Sequence, residues 1–252
     1  MAYPAVLSSQ DNFTTSASLS SSSAVAAYPL ANAVALPISK PWRTTGCTSE
    51  YIEFDFGAAK AWTLISIINH NLTSAATITV YAGSSPNPGS SVGTIAWRKY
   101  DAFSVAYAVN QRYVRIVFAD STNPLGFLQI GYIMAGSFTQ FVAGVAFDYP
   151  FEDAYQNLKV QTEYHVPHVA KLDYQVNLQF TFNQLSVAAM ATIRALFQES
   201  FSDLYPLFWI TDSAVNDGYF MRFGGTLKRT LGVYSSAPIT LNEENRGKLI
   251  TS

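Results

Sequence analysis

The sequence predicts an all-β chain in two parts, the second carrying a single packed helix. Three observations lead there. Short apolar-alternating runs recur from residue 50 onward: Tyr51–Phe56, Trp62–Asn69, Thr77–Tyr81, Tyr113–Ala119 and Phe127–Gly136. The segments between them are rich in Gly, Pro, Ser and Asn, above all Gly83–Gly93 with the sequence GSSPNPGSSVG, and such residues punctuate strands rather than helices. After residue 138 the pattern changes to longer strands around one stretch of helical period, SVAAMATIRALFQESF.

Each element has its own justification. Ile52, Phe54 and Phe56 alternate on one face of a strand, the period-two mark of a half-buried β-strand. Leu64, Ser66 and Ile68 face one way on the next run and Ile65 and Ile67 the other, which predicts a strand covered on both sides. A turn is expected at Gly57–Lys60 between these two strands, and a polar elbow at Asn69-His70-Asn71, where His70 makes backbone hydrogen bonds. Residues 1–27, with SASLSSSSAVAA from Ser16 to Ala27, offer few bulky groups to bury; they predict a flexible arm, or one that latches a neighbouring subunit through Tyr3, Val6, Leu7 and Phe13. In the second part, residues 139–252, Lys159–Tyr164, Lys171–Phe182, Tyr205–Thr211, Gly218–Phe223 and Ala237–Leu241 predict strands. The helix is expected at about residues 186–201, with Ser186 as N-cap and an apolar stripe of Val187, Met190, Ile193, Leu196 and Phe197. Asn216-Asp217-Gly218 predicts a hairpin turn, and the acidic stretch Gly144–Asn157 an exposed linker.

Composition bounds the function. Aromatic residues make up 14% and charged residues only 13% of the 252 residues, the balance found at the centre of protein interfaces, so an oligomeric subunit is expected. A net charge of −2 without a basic block argues against nucleic acid. The lone Cys47 excludes an intrachain disulfide and a cysteine-based zinc cluster. No run of 18 apolar residues occurs, and the N-terminal MAYPAVLSSQDNF lacks the features of a signal peptide, so neither membrane insertion nor export by that route is expected.

Catalytic constellations are missing from the pattern. The one G-x-S-x-G match, Gly89-Ser90-Ser91-Val92-Gly93, falls in the Gly/Ser/Pro-rich stretch and is read as a turn, and no phosphate-binding loop or dinucleotide fingerprint is present. Asp148, Glu152 and Asp153 lie together in the acidic stretch, which is read as a solvated turn rather than a converging carboxylate pair. His165 and His168 are separated by Val-Pro, so on an extended chain they face opposite ways and do not clasp one metal. The expectation is a non-enzyme without cofactor or metal.

A family resemblance adds to this. Trp42 a few residues before a strand ending Asp55-Phe56-Gly57, then Asn69-His70-Asn71-Leu72, Arg112-Tyr113-Val114-Arg115-Ile116-Val117-Phe118 and NPLGFLQIGYIMAG over Asn123–Gly136, resemble in order and spacing the discoidin, or coagulation-factor C-type, domains. The resemblance covers residues 28–138 and implies an eight-stranded jelly roll, here without the cysteine pair that closes many secreted members. It also implies a carbohydrate or other surface ligand at loops on one end. The matching loops hold Trp42, Arg43, Asn71, Trp97, Arg98 and Tyr100, with Trp97-Arg98-Lys99-Tyr100 the more exposed cluster; Trp42 usually packs against the core in that family.

The second part, with FWITDSAVNDGYFMRFGG followed by APITLNEENRGK, is similar in style to distal-tail or baseplate virion proteins of tailed bacteriophages. That likeness implies a tail-tip subunit made in bacterial cytoplasm and carried in the virion. Its residues 139–252 would assemble with other copies of the chain and with neighbouring tail proteins, and its jelly roll would contact a host glycan. The alternative reading is a carbohydrate-binding adhesin.

Overall fold

A computed structural model describes residues 5–8, 12–99, 101–104, 109–140, 151–161, 167–185, 187–199, 205–212, 217–224 and 235–243. The strands in chain order are β1 (Ala5–Ser8), β2 (Ser18–Ser21), β3 (Trp42–Arg43), β4 (Glu50–Trp62), β5 (Leu64–His70), β6 (Thr77–Gly83), β7 (Ser91–Ile95), β8 (Asp101–Ser104), β9 (Val109–Ala119), β10 (Gln129–Gly136) and β11 (Thr139–Gln140). Then follow β12 (Phe151–Gln161), β13 (Pro167–Leu185), helix α1 (Val187–Glu199), β14 (Leu207–Asp212), β15 (Asp217–Phe223) and β16 (Ser235–Glu243). The chain divides into two compact units. The first comprises Met1–Gln140, Phe208–Tyr219 and Leu249–Ser252; the second comprises Phe141–Leu207 and Phe220–Lys248. The all-β expectation holds.

In the first unit two antiparallel sheets face each other. One runs β2-β4-β9-β6-β7 and the other β3-β10-β5-β8. Ile52 and Phe54 from β4, Ile78 and Val80 from β6, and Val114, Ile116 and Phe118 from β9 turn inward against Ile65 and Ile67 of β5 and Ile130 and Ile133 of β10. Burial alternates along β6, as period two requires. Every residue of β5 is buried, which fits a central strand covered on both faces. The core is therefore the space between the sheets, the layered arrangement that a jelly roll uses to bury two apolar faces.

Among the elements of the first unit, three expectations needed correction. The turn at Gly57–Lys60 does not separate two strands: β4 continues to Trp62, and its pairing with β9 shifts between Asp55 and Lys60. Gly57 takes φ +74° there, and its N–H donates to Asp55 Oδ1 at 2.8 Å, so the extra residues bulge outward and pairing resumes beyond them. The Arg112 guanidinium, bonded to the same carboxylate at 2.6 and 2.8 Å, holds Asp55 down at about 2. Secondly, the serine-rich stretch is not loose where it is described. Strand β2 pairs with β4, Ser18 opposite Asp55 and Ser21 opposite Ile52. Asn12, only 3% exposed, caps the turn Phe13–Ser16, accepts from Ala135 N at 3.0 Å and donates to the Tyr132 hydroxyl at 3.2 Å. Polar bonds to β10 fasten this segment together with apolar anchors: Val6 and Leu7 are buried, and Phe13 packs on the core with its ring 6.1 Å from that of Phe56. Thirdly, Asp217-Gly218 lies within β15 rather than in a turn; Asn216 lies outside the described residues. A Cβ at Gly218 would meet ring atoms of Phe103 and Phe208 at 3.0–3.1 Å; these two rings cross edge to face at 5.1 Å.

In the second unit β12 and β13 form an antiparallel pair with a register shift at Gln156/Asn157, and β16 pairs with β13 on the other side. Met221–Phe223 of β15 pairs with β16. Glu152 and Asp153 sit on β12 and His168 on β13, not in loops; Asp148 and His165 lie outside the described residues. The helix starts and ends close to the expected bounds. It buries Met190, Ile193 and Leu196, with Phe197 edge-on to Phe223 at 5.2 Å, while Val187 is 88% exposed and leaves the stripe.

Candidate functional site

Strand directions gather the loops. The C-terminal ends of β5, β7 and β9 and the N-terminal ends of β4, β6, β8 and β10 lie at one end of the sandwich, as the pairings Glu50–Phe118, Thr77–Ala119, Ile78–Ile95, Ile68–Asp101 and Ile130–His70 require. The segments that close this end are residues 43–49, 71–76, 96–99 and 120–128.

Residues 69–75 form the hub. Asn69 adopts φ 55°, a left-handed conformation that Asn tolerates better than most residues. The elbow then turns: His70 Nδ1 accepts from Leu72 N at 3.2 Å, the backbone bond expected of it. Asn71 crosses to the 120–128 loop, where its Nδ2 donates to Phe127 O at 3.0 Å and its Oδ1 accepts from Gln129 N at 2.7 Å. Leu72 O accepts from Trp97 Nε1 at 2.9 Å. Thr73 donates through N and Oγ1 to the Asp120 carboxylate at 2.8 and 2.6 Å, and Asn123 Nδ2 donates to it at 3.0 Å. These bonds fix the loops before any ligand arrives.

On this framework sits Arg43. Its guanidinium carbon lies 4.1 Å from the Tyr28 ring centroid and 4.3 Å from that of Phe127, close enough for cation–π attraction to both. With the Gln129 amide oriented by its hydrogen bonds, its oxygen accepts from Arg43 Nε at 2.9 Å and Nη2 at 2.5 Å. Tyr28, Arg43, Asn71 and Phe127 are all half-buried. Around them Thr45, Thr48, Ser49, Ser74, Ser121 and Thr122 form an exposed, uncharged rim of hydroxyls.

The residues singled out in the sequence divide accordingly. Arg43 and Asn71 meet in one cluster, and Trp97 joins it through Leu72. Asn71 spends both polar atoms on the neighbouring loop and so acts as a positioning residue for Phe127. Trp42 is 0% exposed; its ring meets Phe118 edge to face at 6.4 Å and its Nε1 donates to Ser23 O at 3.1 Å. It cannot present a face to a ligand. Trp97 is half-buried against the core. Arg98 turns to other partners, donating from Nη1 to Gly218 O and lying 4.9 Å from the Tyr219 ring. Tyr100 lies outside the described residues. Tyr28, Phe127 and Gln129 were missed, because Tyr28 lies in an Ala-rich lead-in and Phe127 and Gln129 read as the start of a core strand.

The chain matches no known family and no curated protein sequence. Among solved structures it is similar to chitosan-binding module 1 of a chitosanase/glucanase from Paenibacillus sp. IK-5, at 17% identity and TM-score 0.42, over 49% of this chain and 97% of that one. It is also similar to CpGH89CBM32-5 from Clostridium perfringens, solved with GalNAc-beta-1,3-galactose, at 10% identity and TM-score 0.43, over 50% and 99% of the two chains. A third likeness is to a fucose-binding module of Streptococcus pneumoniae, at 12% identity and TM-score 0.41, over 50% and 94%.

Proposed function

We propose that this protein binds glycans through the loop end of its jelly roll. The observation that carries the reading is the half-exposed Arg43 set against the rings of Tyr28 and Phe127, on loops fixed by internal hydrogen bonds and rimmed by hydroxyls. An aromatic ring offers the apolar face that the C–H side of a pyranose packs on, and the spare N–H groups of Arg43 offer donors to its oxygens. A glycan array with the full chain, followed by calorimetry on the best ligand, tests this. Phe127→Ala is expected to weaken binding about tenfold, the loss of about 1.4 kcal/mol. The ring is half-buried, so the variant stays folded. An array without any bound glycan would overturn the reading.

A second reading concerns where the module works. We propose that the chain is a tail-tip or baseplate subunit of a tailed-phage virion, with the second unit assembling copies of it and the jelly roll meeting a host glycan. What supports this is composition: 14% aromatic against 13% charged residues leaves an outer surface suited to contact with other subunits. Light scattering of the purified chain over a range of concentrations is expected to give a defined multimer. A strict monomer at every concentration would favour the free-standing adhesin instead.

A further inference from the structure

The charge distribution at the loop end narrows the ligand class. Its acidic side chains are turned inward and bonded. Glu50, 8% exposed, accepts from Ser22 and Ser23. Asp101, 1% exposed, accepts from Asn69 N at 3.1 Å. Asp120, also 1% exposed, is held by Thr73 and Asn123. Arg43, at the same end, stays half-exposed. The charged group that this end exposes beside the aromatic rings is therefore the Arg43 guanidinium.

Arg43 itself has no carboxylate partner among the described residues. Elsewhere in the same unit two guanidiniums are neutralised, Arg112 by Asp55 at 2.6 Å and Arg115 by Glu53 at 2.8 Å. Gln129 occupies Nε and one N–H of Nη2 in Arg43, so Nη1 and the second Nη2 N–H remain as an end-on pair of donors. That pair has the spacing of a carboxylate and binds it in two parallel charge-assisted bonds. Tyr28 and Phe127 restrict the approach to the guanidinium and offer ring faces to the rest of the sugar.

We propose that the ligand is an acidic sugar whose carboxylate pairs with Arg43. This rests on the glycan-binding reading, and one experiment separates the two. The full chain is titrated calorimetrically with oligogalacturonate and with its methyl ester, and with sialyllactose and lactose. The ester keeps the sugar and removes the charge. The acid forms are expected to bind about tenfold tighter or more than their neutral counterparts, with an affinity that falls as salt rises from 0.05 to 0.5 M, about a threefold shortening of the screening length. Arg43→Gln is expected to abolish the preference; the ester comparison itself needs no variant. Equal binding of acid and neutral forms overturns the acidic-sugar assignment and leaves the glycan reading standing. Equal binding of a sulfated galactan overturns the assignment of a carboxylate. Absence of binding to every sugar overturns both.

Discussion

Gly131→Ala is expected to destabilise the first unit by about 2–4 kcal/mol, through overpacking and an orphaned hydrogen bond together. A methyl group at this position would lie 2.5 Å from Ile38 O and 2.9 Å from Asn69 Cβ. Neither neighbour can yield cheaply. The carbonyl of Ile38 already accepts from Asn69 Nδ2 at 3.0 Å, and the Asn69 N–H is fixed on Asp101 at 3.1 Å. On β10, Gly131 lies between Ile130, paired with His70, and Tyr132, paired with Ile68, so a shift would propagate into the sheet that carries the loops. Urea unfolding checks this: the midpoint should drop with an unchanged slope. Gly89→Ala is the control, since nothing lies within 4 Å of the added Cβ, and a surface change of that kind stays within about 0.5 kcal/mol. Equal midpoints for the two variants would mean that β10 can move away from Ile38 without loss.

The glycine was visible in the sequence only as the residue after Ile130 in a motif of the discoidin type; its reason is backbone contact across the chain, which no local pattern encodes. The same limit separates what could be read from what could not. β5, β6 and β9 announce themselves because burial on one or both faces imposes a period on their side chains. β2 does not: Ser18–Ser21 pairs with β4 through its backbone, and its neighbours are held by Asn12, Ser22 and Ser23, whose small polar side chains look like a solvated linker. Gly57 looked like a turn because a positive φ ends many strands, yet here it sits in a bulge that β4 passes through. At the candidate site, the resemblance placed Arg43 and Asn71 at the proper end of the fold. The partners that define the cluster came from 15 residues before Arg43 and 84 after it, at Tyr28 and Phe127. The pairing of β3 with β10, Arg43 opposite Gln129, brings Phe127 to it, and a backbone bond from Arg43 N to Tyr28 O at 3.2 Å brings Tyr28; pairing between segments so far apart in the chain leaves no signature in either stretch.

Trp42→Ala is expected to cost about 3–5 kcal/mol, the range for deleting a fully buried tryptophan. The ring is fully enclosed between the sheets, edge-on to Phe118, with its N–H spent on Ser23 O. Truncation leaves a cavity in the core and removes one of the two hydrogen bonds that Ser23 O accepts, the other coming from Ser21 Oγ at 3.1 Å. Its neighbour Arg43 faces the other way, toward Tyr28 and Phe127, at the half-exposed loop end. The two adjacent residues should therefore separate stability from binding. Trp42→Ala lowers the melting temperature by many degrees, and its ligand affinity, measured well below that temperature, stays near wild type. Arg43→Gln changes the melting temperature far less and loses the preference for the acidic ligand. If Trp42 instead contributed a stacking surface for a sugar, its variant would melt normally and lose affinity, and that outcome would move the ring out of the core and onto the binding surface.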